Sequence, residues 1–282
     1  MIALCGCSTA ADAPRVAAAP VADACAPAGP ISDAAQMQNV ARAAPKLMAA
    51  GKAAPAAEFI KQLSRTQCTV TLPAPGKTAL SGSEIYNRCG SGVLVLASLG
   101  RVGNRMSAGA ASAFVISADG VFVTNYHVID KAGCDAMVAM TREGKVYGVR
   151  EILAADKAAD CAIGRLDVGA DRLTPLPLSP AAVGADVFVI SHPDNHFYYM
   201  TRWIVARYAI GRAAGTMEIT ADYAHGSSGG AVLDATGTAV GMVASTHSVY
   251  YNKDNSPANS SLQMVVKQCV PASAILKLIK RE

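Results

Sequence analysis

After Cys68 the chain is punctuated by Gly, Asp, Asn and Pro into about a dozen short runs rich in β-branched and aliphatic residues, and this punctuation constrains the fold more than any other feature. The runs are "SGVLVLASLG", "SAFVIS", "GVFVTNY", "DAMVAM", "KVYGVREIL", "CAIGRLD", "DVFVIS", "RWIVARYAI", "TMEITADY", "GAVLD", "TAVGMVAST" and "LQMVV". Their connections are mostly short, which favours antiparallel pairing. So many short strands make a sandwich or closed barrels, and closure into barrels best removes exposed sheet edges. The chain is 51% hydrophobic but only 5% aromatic, so the expected core is large and aliphatic, and wholesale disorder is excluded.

The flanks read differently. Residues 10–30 reduce largely to Ala, Pro, Asp and Val, the composition of a tether. Ser32 is placed to cap a helix over "DAAQMQNVARAA", with Met37 and Val40 on one face. Pro45 and Pro55 suit the first turns of further short helices, and Phe59, Ile60 and Leu63 form a small apolar face, so two or three helices are expected up to Arg65. At the other end Pro271 opens a helix whose Ile275, Leu276, Leu278 and Ile279 can dock on the strands.

Composition narrows the function classes. The net charge of +4, from 25 basic and 21 acidic residues, is mild and evenly spread, which argues against a nucleic-acid partner. No run of about 18 apolar residues would cross a membrane as a helix. The eight cysteines show no two-residue spacing, so neither a zinc knuckle nor a redox dithiol is indicated, and their dispersal suits an oxidising compartment. His192 and His196 stand four apart, but Pro193 lies between them in what reads as a loop, so no metal is expected. At the start, Leu4-Cys5-Gly6-Cys7 resembles a bacterial lipobox, with Cys7 as the lipid-bearing residue and a membrane tether as its consequence. An ordinary frayed terminus is the equal alternative.

Three polar positions stand at strand edges. "HGSSGGAVLD" (225–234) packs three glycines and two serines into a turn before an apolar run. Glycine there admits backbone angles closed to other residues and lets amide N–H groups approach a ligand. A serine hydroxyl becomes a nucleophile only when a base removes its proton, so a reactive serine needs a histidine and an acid to orient it. Among five histidines, His127 ends the hairpin "ASAFVISADGVFVTNYHVID", where a side chain can project into a cleft. Asp160, in "DKAADCAIGRLD", stands at the entrance of another strand. Each alone reads as readily as a structural histidine, a turn aspartate and a flexible hairpin; the three together, in the order His, Asp, Ser, point to nucleophilic catalysis.

The blocks "SAFVISADGVFVTNYHVI", "ADCAIGRLD" and "HGSSGGAVLDATGTAVGMVAST" resemble the signature blocks of trypsin-like serine proteases, in wording nearest to bacterial peptidases of the HtrA (high-temperature-requirement, Deg-like) type. The resemblance spans residues 83–282. It implies an all-β, chymotrypsin-like fold of two six-stranded antiparallel β-barrels, with a break near residues 170–183, a C-terminal helix and a short helical N-terminal extension over 31–82. It implies a serine endopeptidase acting through His127, Asp160 and Ser228 with an acyl-enzyme intermediate and no cofactor. In Gly-x-Ser-Gly-Gly the nucleophile is the third residue, so Ser228 is chosen and Ser227 is its neighbour. The backbone N–H groups of Gly226 and Ser228 are implied as the oxyanion hole. Ala244, Ser245 and Thr246 are implied as lining the substrate cleft. Asp222 lies six residues before Ser228, where trypsins carry the acid that selects Arg or Lys; a plain strand residue is the alternative. Ala113 replaces a glycine common in the family, and no PDZ-like module is recognisable after the block. Partners would be peptides or unfolded proteins, in an exported, periplasmic or cell-surface and lipid-anchored setting. Disulfides are expected between Cys134 and Cys161 and between Cys68 and Cys89. The rival function is a catalytically silent peptide-binding protein on the same fold.

Overall fold

The computed structural model describes residues 29–102, 105–131, 133–210, 215–252 and 260–280. The lipobox-like stretch with Cys7 and nearly all of the Ala/Pro tether lie outside the described residues.

Among the described residues, twelve strands form two closed antiparallel barrels of six. The first runs in the order β1 (Val93–Val102), β2 (Arg105–Ser117), β3 (Val121–Thr124), β6 (Cys161–Leu166), β5 (Val146–Asp156) and β4 (Ala136–Met140). It closes where β1 pairs with β4, from Val95 opposite Met140 to Leu99 opposite Ala136. The second runs β10 (Ala231–Asp234), β11 (Ala239–Asn252), β12 (Ser260–Pro271), β9 (Gly215–Ile219), β8 (Tyr199–Ile210) and β7 (Asp186–Ser191), and closes through β10 and β7.

The unbroken apolar runs of the sequence follow from burial on both faces of a strand. In "VLVLA" of β1, Leu94 and Leu96 point into the first barrel with Phe122, Met137 and Ile152. Val93, Val95 and Ala97 point outward into a cluster shared with Phe188, Ile190 and Leu233 of the second barrel. The second barrel has its own interior around Val189, Met217, Val232 and Val243. Between the barrels the chain passes along both: Leu176 N–H donates to Val115 O, and Ala239 N–H donates to Pro177 O.

Helices cover what the strands leave open. α1 (Asp33–Ala49) begins at Ser32, whose hydroxyl accepts the Ala35 N–H at 3.3 Å, and packs on β5 and β4. It runs on through Pro45, so the separate helix expected from that proline does not form. Burial of Val40 and Ala44 holds the helix together where proline leaves one carbonyl without its usual donor. α2 (Ala56–Gln62) follows Pro55 as its N-cap and packs on β5. α3 (Gly82–Cys89) was not read from the sequence, although a capping box between Ser81 and Glu84 marks its start. α4 (Tyr126–Ile129) is a single turn after β3, and α5 (Ala272–Lys277) buries Ile275 against the seam of the barrels.

The expected disulfides are corrected. Cys68, Cys89, Cys134, Cys161 and Cys269 are all free thiols. Cys161 faces the cluster between the barrels, whereas Cys134 packs against the interior of the first, so their sulfurs lie on opposite sides of the barrel wall. Cys68 Sγ is directed at Leu278 O, at the end of α5, and Cys89 Sγ at Gly237 O, in the turn between β10 and β11. Burial pushes the Cys89 thiol up to about 11 and the Cys269 thiol up to about 12, so both stay protonated at neutral pH.

Candidate active site

His127 owes its position to the end of β3. Thr124 is buried and its hydroxyl donates to Ser112 O at 2.9 Å; Asn125 is buried and its amide donates to Asp160 O at 3.0 Å. The chain then turns through α4, which buries Val128 and Ile129 and leaves the His127 ring at the cleft. Asp160 ends the turn between β5 and β6 with φ of 53°, a left-handed conformation that aspartate tolerates better than most residues.

The Asp160 carboxylate accepts the His127 backbone N–H at 3.0 Å and faces Nδ1 at 2.8 and 3.0 Å. A carboxylate accepts, so Nδ1 carries the proton and Nε2 presents a lone pair. Nε2 lies 3.2 Å from Ser228 Oγ. The hydroxyl proton has a second acceptor, Ala244 O, at 3.3 Å.

The two serines of "GSSGG" are separated by direction. Ser227 is fully buried and its hydroxyl accepts from Ser191 Oγ at 3.0 Å, whereas Ser228 faces His127. Gly226 (φ 89°) and Gly229 (φ 87°) make that divergence possible. A Cβ on Gly226 would stand 2.6 Å from His192 O, and one on Gly229 would overlap Ser112 O. Among the described residues, neither the Gly226 nor the Ser228 N–H has an acceptor, so both are free to receive a developing negative charge.

Ser112, on β2, was missed by sequence reasoning. It is fully buried, its N–H donates to Ser228 O at 2.7 Å, and its hydroxyl donates to Gly226 O at 3.1 Å and accepts the His192 N–H at 3.2 Å. One residue of the first barrel thus holds the nucleophile loop of the second. The loop after β7 braces the same turn: Asp194 N–H donates to His225 O at 2.7 Å, and Asp194, Asn195 and Tyr198 all have positive φ. That loop is itself tied to the N-terminal helix, because Asp33 accepts the Phe197 N–H at 3.0 Å. His192 is buried, its Nδ1 accepts the Tyr198 N–H at 3.0 Å, and burial lowers its pKa to about 4, so it serves packing as a neutral ring while His196 is exposed.

The remaining predicted residues divide. Asp222 does not reach the cavity beside Ser228: its side chain is 87% exposed and pairs with Lys267 at 3.4 Å. Its neighbours Ala221 and Tyr223, beyond the end of β9, are buried, while the Asp222 side chain faces solvent. Ala244 meets Ser228 through its carbonyl; Ser245 and Thr246 continue along β11, with Ser245 Oγ donating to Gln268 Oε1 at 3.1 Å. A cavity of about 480 Å³ opens on the other flank, lined by Leu96, Ala111, His127, Lys131, Met137 and Ser228 among others.

The family model of the trypsin-like peptidase domain matches residues 111–242, which include all three converging side chains. Residues 111–242 carry the trypsin-like peptidase domain. Across 149 residues this peptidase-domain chain is 32% identical to Protease Do-like 1, chloroplastic, of Arabidopsis thaliana, covering 48% of this chain and 32% of the relative. It is 26% identical over 151 residues to the Putative serine protease HhoA of Synechocystis sp., covering 49% of this chain and 37% of that one. The chain therefore spans about a third of the length of these curated relatives. Its fold is similar to that of the HtrA-type protease AlgW solved with a decapeptide, with a TM-score of 0.57 at 19% identity over 70% of this chain and 66% of the other. With AlgW solved with a tripeptide, the TM-score is 0.55 at 21% identity over 70% and 62%.

Proposed function

We propose that the trypsin-like domain is a serine endopeptidase working through an acyl-enzyme. The observation that carries this reading is the relay in which Asp160 holds His127 Nδ1 at 2.8 Å while Nε2 faces Ser228 Oγ at 3.2 Å. His127 takes the hydroxyl proton as Ser228 Oγ attacks a peptide carbonyl, and Asp160 stabilises the imidazolium that forms. The unoccupied N–H groups of Gly226 and Ser228 receive the oxyanion, each such donor contributing roughly 3–4 kcal/mol in the transition state. His127 then protonates the leaving amine, and water, activated by the same imidazole, releases the acyl group. Substrates are peptides or unfolded proteins, a reading supported by the AlgW structures solved with peptides. Export, with a lipid on Cys7, remains part of the proposal, and mass spectrometry of the native protein reads the modification directly.

The test is a fluorophosphonate label. Wild type is expected to be labelled on Ser228 and to hydrolyse a denatured protein substrate. Ser228→Ala is expected to lose the label and about a millionfold in turnover, while Ser227→Ala keeps most of both. A wild-type chain that takes no label would favour the silent peptide binder.

A further inference from the structure

The cleft has two unlike flanks. On one side runs β11, whose Ala244 carbonyl touches Ser228 Oγ. On the other lies the cavity, walled by β1, β2 and β4 and lined by none of Ala244, Ser245 or Thr246. The imidazole must hand its proton to the departing amine, so the departing half of a peptide has to lie on the His127 flank. That flank is the cavity.

Its floor is apolar, built from Leu96, Ala111, Val128 and Met137. Its wall on the first barrel carries one charge, the ammonium of Lys131. Lys131 Nζ donates to Ser98 Oγ at 3.1 Å, and Ser98 Oγ in turn donates to Gly109 O at 3.3 Å. Ser98 and Gly109 face each other across the β1–β2 ladder. A Cβ at position 109 would stand 2.8 Å from Nζ, so the absence of a side chain there makes room for the ammonium. An ammonium has three donors, and only one is used by a side chain here. Among the described residues no carboxylate lies within ion-pair distance of it: Asp130 is turned to Lys157, and Asp194 sits on the opposite wall, on the second barrel's loop.

We propose that Lys131 makes this cavity a carboxylate-binding subsite for the departing half of the substrate, so that the chain prefers peptides bearing an acidic side chain, or a free C-terminal carboxylate, shortly after the scissile bond. The proposal rests on the peptidase reading for which half occupies the cavity. The ammonium supplies a charge-assisted hydrogen bond that a neutral amide cannot match, while the apolar floor takes the intervening side chain.

The experiment uses fluorogenic octapeptides that differ only in Glu or Gln at each of the first three positions after the bond, and a second pair that differs only in a free or amidated C-terminus. At one position in the first set, or in the terminal pair, the carboxylate form is expected to have a kcat/KM roughly five- to tenfold higher in low salt. Which set responds tells the side chain from the terminus. The ratio is expected to fall to near one in Lys131→Met and to invert in Lys131→Glu. A ratio unchanged by both substitutions overturns the proposal. Fluorescence anisotropy of the same peptides on Ser228→Ala reads the preference without turnover. A Lys131-dependent preference in binding, with no hydrolysis by wild type, supports the subsite and counts against the peptidase reading; no preference in binding overturns the subsite itself.

Discussion

In the first barrel β3 and β4 are buried at every position, whereas β8 of the second exposes most of its 12 residues, Trp203 at 61% among them. The difference comes from what surrounds each wall. The first barrel has α1 and α2 on β5 and the second barrel across the seam, so both faces of strands such as β3 and β4 are covered. The outer face of β8 has no such cover among the described residues. The catalytic candidates follow the same division. His127 and Asp160 sit on well-covered ends of the first barrel, whereas Ser228 sits on a loop of the second whose carbonyls are held by Ser112 of the first. Order at the nucleophile is imposed from across the seam as well as by the β7 loop of its own barrel.

Paired truncations are the strongest way to break this contrast. Phe122→Ala, inside the first barrel, is expected to lose about 3–5 kcal/mol by denaturant titration, while Trp203→Ala on β8 stays within about 0.5 kcal/mol. Equal costs would mean that β8 is covered in solution.

A second test uses His192, which lies at the seam. Its folded pKa of about 4 is below the ordinary histidine value, so the unfolded chain binds the extra proton first as pH falls. Stability from this group is therefore complete above about pH 6.5 and declines towards pH 4, by roughly 3 kcal/mol in all. Urea midpoints measured at pH 7 and pH 5 are expected to differ in wild type and to converge in His192→Gln.

Ser112→Ala sharpens the comparison at the site. It removes a hydroxyl that holds the Gly226 carbonyl, which lies between the two N–H groups proposed to receive the oxyanion. The expected result is a loss of roughly a hundredfold in kcat with KM little changed, and partial recovery in Ser112→Thr. A change confined to the melting temperature would reduce Ser112 to a structural brace.

Much of the fold was legible because its strands are short and their separators are strong: each of the twelve runs contains or overlaps one observed strand. The division into two barrels of six came only through the resemblance, since runs buried on both faces, such as "VLVLA", carry no alternation to show which side meets which core. Local chemistry misled at Pro45, where packing outweighs propensity. Cysteine spacing carried no information about which side of a barrel wall a sulfur occupies. His127, Asp160 and Ser228 were legible because, although each type is ordinary at a strand edge, their combination and order are distinctive. Ser112, Lys131 and Asp33 were not, because their partners lie far away in the chain: Ser112 meets Gly226 across 114 positions and Asp33 meets Phe197 across 164. A common residue acquires such a role only from the fold.

The overlap that a methyl on Gly229 would have with Ser112 O bears on how the two halves can move. Where backbone lies on backbone with no carbon's width to spare, the halves cannot slide past one another; they stay in register or come apart. Any force that pries them open, from heat, denaturant or a ligand wedged into the seam, would reach the Ser228 turn at its first step. Loss of function would then precede loss of secondary structure.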